Sequence, residues 1–290
     1  MKKRIKDLAY ALKVDKCFLI KLASSIDADE TRFYRNWDEP KTDEKGLPRF
    51  ENGMALTRPI NAPTTKLKYV QSQLLKQVLY KLKLPEYFFG GLKNRDAVLN
   101  ARYHQGNKYF FLTDLKDFYP SVAFTSVEKA LRKEGFYPDV AKLINRICTK
   151  EGAIPQGCPT SSFLASLVVF HSCGDLFEKY INDGLTVSIY VDDITFSSPI
   201  DFKQNTGKIL EELRNRGLKI NFKKTHYCTF NPVVTGVQVK NNGISPLPHT
   251  FERAVDLLRS EASRNGHIQR IKYIKKIANK KTHPYNTYSK

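Results

Sequence analysis

The stretch SIYVDDITFSS at residues 188–198 constrains the fold more than any other part of the chain. β-branched and aromatic residues flank Asp192 and Asp193 on both sides, which is typical of two short strands. Adjacent aspartates repel each other and are poor strand formers, so they fit best where one strand turns into the next. The stretch therefore predicts a β-hairpin that carries two carboxylates near its tip. Taken alone, such a pair is best interpreted as an ordinary polar turn.

The charge balance of the chain indicates a polyanionic partner. Its 290 residues include 48 Lys and Arg against 29 Asp and Glu, a formal net charge of +19. An excess of this size raises a positive potential that attracts nucleic acid or an acidic membrane surface. No run in the sequence approaches the roughly 18 apolar residues that a membrane span needs. We therefore expect a nucleic acid partner and no membrane.

The cysteines indicate a reducing compartment. Five are scattered along the sequence and none forms a CxxC pair, which is the pattern of buried free thiols in a cytoplasmic protein.

The N-terminus begins like a signal peptide, but Lys13, Asp15 and Lys16 interrupt its apolar stretch. It is therefore predicted to be a basic amphipathic helix over residues 1–22.

Helices and strands are predicted in a mixture without a βαβ rhythm. Helical patterns cover the segments 67–82, 125–136, 161–181 and 206–217. The tail segment 266–281 repeats isoleucine every third residue and is otherwise strongly basic, with Lys280 and Lys281 at its end. One apolar seam and a cationic surface suit a helix that packs on the protein while its other side faces nucleic acid or water. The fold class predicted is α+β with an antiparallel sheet.

A third carboxylate changes the interpretation of the aspartate pair. Asp114 ends the apolar strand pattern YFFLTD. If this strand neighbours the hairpin, Asp114, Asp192 and Asp193 converge, and such a cluster stays ionised only with a countercharge. Two Mg²⁺ ions supply that countercharge and also bind phosphate oxygens. The arrangement points to attack of a 3′-hydroxyl on an α-phosphate.

Five motifs in order carry a resemblance to reverse transcriptases. DLKDFYPS, PQGCPTS and YVDD resemble the family's motifs A, B and C, GLKINFKKT its motif D, and RPINAPTTKLKYVQ its fingers motif. The resemblance implies a right-hand polymerase, here with an N-terminal extension of helix and loop over residues 1–54. Fingers and palm would occupy 55–240, and a short, basic, helical thumb 241–290. The activity implied is that of an RNA-directed DNA polymerase.

Two further segments are similar to signatures of retron reverse transcriptases. NARYH contains Asn100 and His104, and VTG contains Thr235 and Gly236. The resemblance implies that these four residues recognise RNA. The alternatives are that Asn100 and His104 cap and pack a turn, and that Thr235 and Gly236 form a turn or a bulge.

The resemblance also assigns the chemistry to particular residues. Asp114 and Asp192 would bind both metal ions, Asp193 would be the third carboxylate, and the carbonyl of Leu115 would bind the second ion. Mn²⁺ is a possible substitute for Mg²⁺. Lys224 would protonate the pyrophosphate leaving group, and Lys223 is the alternative.

The nucleotide-binding residues follow from the same motifs. Tyr119 would be the steric gate that excludes a 2′-hydroxyl. The alternative is that Tyr119 is an ordinary tyrosine of the core. Gln156 and Gly157 would touch the incoming nucleotide and the template. Arg58, Lys66 and Lys68 are the candidates for binding the triphosphate. Arg58 matches the family best, and the alternative is that these cations simply face water.

Two positions depart from the retron pattern. Val191 stands where retron enzymes commonly have Ala, and Ser162 stands where Pro is usual. Because Val is common in other reverse transcriptases, the first departure leaves the expected activity intact.

The function implied is that of a retron enzyme. It would use dNTPs to copy one structured noncoding RNA, primed by a 2′-hydroxyl of a guanosine in that RNA, into branched RNA-linked DNA. Such systems resemble anti-phage defence modules with a separate effector protein. The alternatives are another defence-associated reverse transcriptase with different priming, and a catalytically silent RNA-binding scaffold.

Overall fold

A computed structural model describes residues 4–43 and 46–279 of the chain. These residues form two compact units, each discontinuous in sequence. The first consists of residues up to Pro85 together with Asp117–Ser172, and the second of Glu86–Lys116 together with the residues from Cys173 onward.

Helices and strands occur in the mixture that the sequence predicts. The helices are α1 (Ile5–Leu12), α2 (Lys16–Ala28), α3 (Thr65–Gln77), α4 (Ala97–Tyr103), α5 (Phe118–Ser121), α6 (Phe124–Lys133), α7 (Pro138–Cys148), α8 (Ser161–Asn182), α9 (Thr206–Asn215), α10 (Pro248–Val255) and α11 (Glu261–Ala278). The strands are β1 (Tyr34–Pro40), β2 (Phe50–Glu51), β3 (Met54–Ala55), β4 (Thr57–Pro63), β5 (Tyr109–Asp114), β6 (Thr186–Tyr190), β7 (Asp193–Ser198), β8 (His226–Cys228), β9 (Val233–Val234), β10 (Val237–Lys240) and β11 (Gly243–Ser245). The prediction of an α+β fold is confirmed.

The first unit is mainly helical. Its core forms where α1, α2, α3 and α7 pack together, and α6 packs on α7. The long ribbon β1–β4 is antiparallel, with Tyr34 opposite Pro63 at one end and Pro40 opposite Thr57 at the other. The segment between β1 and β4 contains the short hairpin β2–β3.

The prediction of one N-terminal helix is wrong, because the chain forms two. Lys13 adopts a left-handed conformation, with a φ of 58°, and ends α1. Asp15 then begins α2, since its carboxylate accepts a hydrogen bond from the backbone N–H of Phe18 at 3.0 Å. The polar residues that interrupt the apolar pattern are therefore a helix stop and a helix start.

The second unit contains a four-stranded antiparallel sheet in the order β6-β7-β5-β8. β5 and β7 are the central strands, and all six residues of β5 pair with β7. Central strands have both edges hydrogen-bonded, so residues at their ends are held firmly in place. The sheet therefore gives fixed positions to the polar residues at either end of β5.

A smaller sheet, β9-β10-β11, completes the second unit. Its apolar side packs with α4 and α11 around one core. Ile274 and Ile277 of α11 are fully buried, and Ile268 and Ile271 are half-buried. The apolar seam predicted for the tail is confirmed, while Lys280 and Lys281 lie outside the described residues.

The predicted domain limits at residues 54 and 240 stay a prediction. Residues 1–3, 44 and 45 of the predicted extension and residues 280–290 of the predicted thumb lie outside the described residues. Across the two described ranges, no helix is both long and apolar enough to cross a bilayer.

Candidate active site

The predicted hairpin is present in the second unit. Tyr190, the last residue of β6, pairs with Asp193, the first residue of β7. Val191 and Asp192 are the two turn residues between them. Val191 has a φ of 59°, a left-handed conformation that β-branched residues rarely adopt. Strain of this kind is typical of functional sites, where the surrounding structure holds it in place.

A neighbouring backbone segment holds the strained turn. Phe89 donates its backbone N–H to the carbonyl of Ile189 at 2.7 Å, and Ile189 donates its own to Tyr87 at 2.8 Å. A Cβ atom at Gly90 would lie 2.3 Å from the backbone nitrogen of Val191 and 2.5 Å from its Cγ2. Gly90 is therefore required for this close approach. Sequence reasoning missed it, although the Gly-Gly pair that it begins is a turn signal.

Asp114 lies beside the hairpin, as predicted. It ends β5 and is paired with Asp193 in the register of β5 and β7. The next residue, Leu115, donates its backbone N–H to the carbonyl of Asp192 at 2.9 Å. The three aspartates therefore occupy the same end of two central strands, although Asp114 is far from the other two in sequence.

The carboxylate of Asp114 is almost fully buried and is bound by two side chains. Lys224 Nζ lies 2.6 Å from Oδ2, and the amide of Asn221 donates to Oδ1 at 2.8 Å. The backbone N–H of Asn221 also donates to the carbonyl of Asp114 at 2.8 Å. The sequence predicts no role for Asn221. In the same motif, GLKINFKKT, only Lys224 has a predicted role, with Lys223 as the alternative.

Negative charge is in excess around Asp193. Burial, and then the neighbouring charges of Asp192 and Asp114, raise the pKa of its carboxyl to about 7. Lys224 acts in the opposite direction, but does not offset these effects. A site with too few cations for its carboxylates is one that additional cations would stabilise.

The donor set therefore fits divalent cations in chemistry and charge. As the side chains stand, no group of three Asp, Glu, His or Cys residues in the described ranges is arranged to hold a metal ion. Lys224 and Asn221 occupy both oxygens of Asp114, so a cation at Oδ2 would compete with Lys224. The metal-ligand roles of the aspartates and of the Leu115 carbonyl stay predictions.

Tyr119 lies in the first unit, on the short helix α5. Its hydroxyl is 2.8 Å from the hydroxyl of Ser162 at the start of α8. Phe118 next to it is buried, and Tyr119 is half-buried. Phe118 thus supplies the core residue, which leaves Tyr119 available for the predicted gate. Ser162, noted in the sequence only as a departure, anchors the ring.

Gln156 and Gly157 form a loop of the first unit that is fixed to β4. Asn61 donates its backbone N–H to the carbonyl of Gln156 at 2.7 Å. Gly157 has a φ of 110°, and a Cβ atom there would lie 3.0 Å from Cγ2 of Ile60. Glycine is therefore needed both for its conformation and for the close approach to β4.

The three candidate phosphate ligands also lie in the first unit. Arg58 pairs across the ribbon with Glu39, at 3.1 Å between Nε and Oε2. Lys66 and Lys68 are exposed at the start of α3. The sequence interpretation did not include Glu39, which partly neutralises the arginine that matches the family best. The roles of all three cations stay predictions.

The structure places Asn100 and His104 in the interior of the second unit. Both side chains are buried, at 1% and 0% exposure, and their predicted recognition of RNA stays a prediction. His104 Nδ1 lies 2.6 Å from the hydroxyl of Ser197, and Nε2 lies 2.7 Å from that of Ser188. The ring therefore joins β6 to β7, and burial lowers its pKa to about 3. This is the packing alternative considered from the sequence.

Thr235 and Gly236 form the turn between β9 and β10. Thr235 donates its hydroxyl to the carbonyl of Ala97 at 2.7 Å and accepts a hydrogen bond from the amide of Asn100 at 3.4 Å. Gly236 is exposed, and its carbonyl accepts a hydrogen bond from Arg270 of α11 at 3.4 Å. The NARYH and VTG segments are therefore joined in space, and Gly236 is the exposed member.

Comparisons with known proteins agree with this geometry. A family model described as reverse transcriptase (RNA-dependent DNA polymerase) matches residues 40–274. The retron Se72 reverse transcriptase of Salmonella heidelberg is 30% identical over 73% of this chain and 59% of that protein. The retron Ec73 reverse transcriptase of Escherichia coli is 31% identical over 63% of this chain and 64% of that protein. The chain thus spans less than two thirds of the length of these relatives.

A solved structure shares the fold. Apo telomerase from Candida tropicalis matches with a TM-score of 0.50 and 12% identity, over 89% of this chain and 57% of that one. At this identity the likeness concerns the fold alone, and it agrees with the right-hand polymerase fold expected from the motifs.

Proposed function

The chain belongs to the reverse transcriptase family, and from that premise we propose that it is an RNA-directed DNA polymerase of retron type. The observation that carries the proposal is the meeting of Asp114, Asp192 and Asp193 at one end of paired central strands. The similarity to retron reverse transcriptases over most of the chain supports the retron type.

The proposed reaction is nucleotidyl transfer from dNTPs, with Asp114, Asp192 and Asp193 holding two divalent cations, Mg²⁺ by preference. Bound cations would activate the 3′-hydroxyl and neutralise charge that develops on the phosphates. Lys224 Nζ lies 2.6 Å from Oδ2 of Asp114. Once it leaves Asp114, its ammonium is the group in the second unit best placed to protonate the leaving pyrophosphate.

The first unit would supply substrate selection. Tyr119, anchored by Ser162, would lie under the sugar and exclude a 2′-hydroxyl. The loop of Gln156 and Gly157, fixed to β4, would contact the nucleotide. Arg58 would reach the triphosphate by exchanging Glu39 for a more highly charged partner.

The finer proposal is that the template is one structured noncoding RNA and that the product is DNA branched from it through a 2′–5′ bond. The junction of the NARYH and VTG segments supports a shared role for them, with Gly236 as the exposed element. Retron-type similarity also supports a role in anti-phage defence with a separate effector protein. The five free cysteines, of which Cys17 is exposed, support a reducing, cytoplasmic location.

Two measurements test the proposal. Primer extension with dNTPs and Mg²⁺ on a generic RNA template should yield DNA, and absence of synthesis would favour the silent RNA-binding scaffold. Sequencing of the nucleic acid that copurifies with the protein should identify one RNA with DNA attached through a branch. DNA without a 2′–5′ branch would favour another defence-associated reverse transcriptase with different priming.

A further inference from the structure

The second unit contains a cavity of about 340 Å³ outside the carboxylate site. Its walls come from the residues before β5, those after β8 and the end of β10. At about 3.4 Å per residue, the six residues of β5 place Lys108, in this wall, roughly 20 Å from Asp114. The cavity therefore lies at the opposite end of the sheet from the three aspartates.

The walls of the cavity are fixed by hydrogen bonds. Asn107 donates its amide protons to the hydroxyls of Thr186 and Ser197, at 3.0 and 2.7 Å. Val239 donates its backbone N–H to the carbonyl of Pro232 at 2.9 Å. These parts of the lining are held in place before a ligand binds, which lowers the entropic cost of binding.

The lining combines an aromatic ring, cations and amides. Phe230 lines the cavity and is 81% exposed, so its ring is accessible to a ligand. Lys108 and Lys240 contribute two exposed ammonium groups, and Asn231 and Asn241 two exposed amides. Pockets for apolar small molecules are lined mainly by hydrophobic side chains, so this lining fits a different class of ligand.

A nucleotide uses all three kinds of group. Unpaired bases stack on exposed aromatic rings, lysines neutralise phosphates, and amides bond to base edges. We propose that this cavity binds one nucleotide of an unpaired RNA segment, with its base on Phe230 and its phosphates near Lys108 and Lys240. The inference rests on the proposed function. A polymerase that stays bound to its template RNA must also contact parts of that RNA outside the RNA–DNA duplex that it synthesises.

The first test locates the contact. An unstructured RNA of about ten nucleotides, a length that single-strand binding folds cover, carries 4-thiouridine and is crosslinked to the full chain near physiological salt. The crosslinked peptide should contain Phe230. The matched DNA oligonucleotide with 4-thiothymidine should crosslink there much less. Equal crosslinking of DNA, or crosslinking only elsewhere, would overturn the assignment to RNA.

The second test measures affinity with matched variants. Phe230→Ala should weaken binding of the same RNA by between about 5-fold and about 150-fold, the effect of removing one stacked base. Lys108→Ala with Lys240→Ala should lower the salt dependence of binding by about 0.7 in slope per lysine. The controls are Ile200→Ala, since Ile200 is 76% exposed just after β7, and Lys208→Ala on α9.

Folding of each variant is checked by thermal unfolding. Unchanged affinity in a folded Phe230→Ala protein would overturn the inference, and so would an equal loss in Ile200→Ala. Neither test requires synthesis of DNA. Primer extension by the wild-type chain, measured separately, tests the proposed function without involving the cavity. Failure of the inference can therefore be distinguished from failure of the proposed function.

Discussion

Two polar clusters on the same four-stranded sheet are built in opposite ways. At one end of β5, Asp114 is paired with Lys224, and the pKa of Asp193 rises to about 7 because of burial and its acidic neighbours. Between β6 and β7, His104 is neutral and bonded on both ring nitrogens to Ser188 and Ser197. The first cluster is short of positive charge, and the second is complete by itself.

The difference suggests how to tell residues that would act on a ligand from residues that hold the sheet. A cluster with excess negative charge is stabilised when a cation binds to it, either alone or together with a phosphate group. A buried cluster whose hydrogen bonds are all made inside the protein offers nothing to a ligand. Both clusters include residues of segments that resemble family signatures. The resemblance alone therefore did not distinguish residues that contact a ligand from residues that stabilise the sheet.

The largest expected effect is that of Asp192→Asn. Primer extension should fall by about three orders of magnitude or more, since a lost metal ligand removes several kcal/mol of transition-state stabilisation. Thermal unfolding of the variant checks that the loss of synthesis does not come from loss of the fold. Asp183→Asn, at an exposed position after α8, is the control. Near wild-type synthesis by Asp192→Asn would contradict the two-metal assignment.

Lys224→Ala should have the next largest effect, a loss of about 100-fold in the rate of nucleotide addition if it is the general acid. The rate of the chemical step should fall most, and the affinity for RNA should change little. Lys223→Ala is the matched control, because it removes the same charge one residue away. Equal losses in the two variants would mean that Lys224 acts only through net charge, and a loss confined to Lys223→Ala would move the role to that residue.

His104→Ala should act on stability instead of chemistry. It removes the partner of the buried Ser188 hydroxyl, while Ser197 keeps its hydrogen bond from Asn107, and an unsatisfied buried hydroxyl destabilises a fold by roughly 1–3 kcal/mol. His104→Gln keeps a donor and an acceptor and should lose less. Urea unfolding measures both, with primer extension per folded molecule as the second readout. A large loss of rate in a folded His104→Gln protein would show that the ring contributes to the reaction.

The fold was largely predictable because its signals are local. The hairpin at residues 188–198 and helices such as α8 follow from periodicity and turn chemistry within the segment itself. Gly90 and Asn221 were missed because their importance comes from a distant residue, Val191 for one and Asp114 for the other. Packing of His104 was one alternative from the sequence, but its partners could not be named, since only the folded sheet brings Ser188 and Ser197 to its two nitrogens.

The smallest expected effect is a pH dependence of stability that separates the two clusters. The pKa of His104 is about 3 in the folded chain, against 6.5 for an exposed imidazole. Between these values only the unfolded chain binds the proton, so stability is complete above pH 7 and falls as the pH drops below 6.5. At pH 5.5 the expected loss is about 1.4 kcal/mol relative to pH 8. His104→Gln should lack this component, so the difference between the two unfolding curves isolates it from other titrating groups. A wild-type curve that parallels the variant between pH 8 and pH 5.5 would mean that His104 binds its proton as readily in the folded chain as in the unfolded one, and the contrast between a complete cluster and a charge-deficient one would fail.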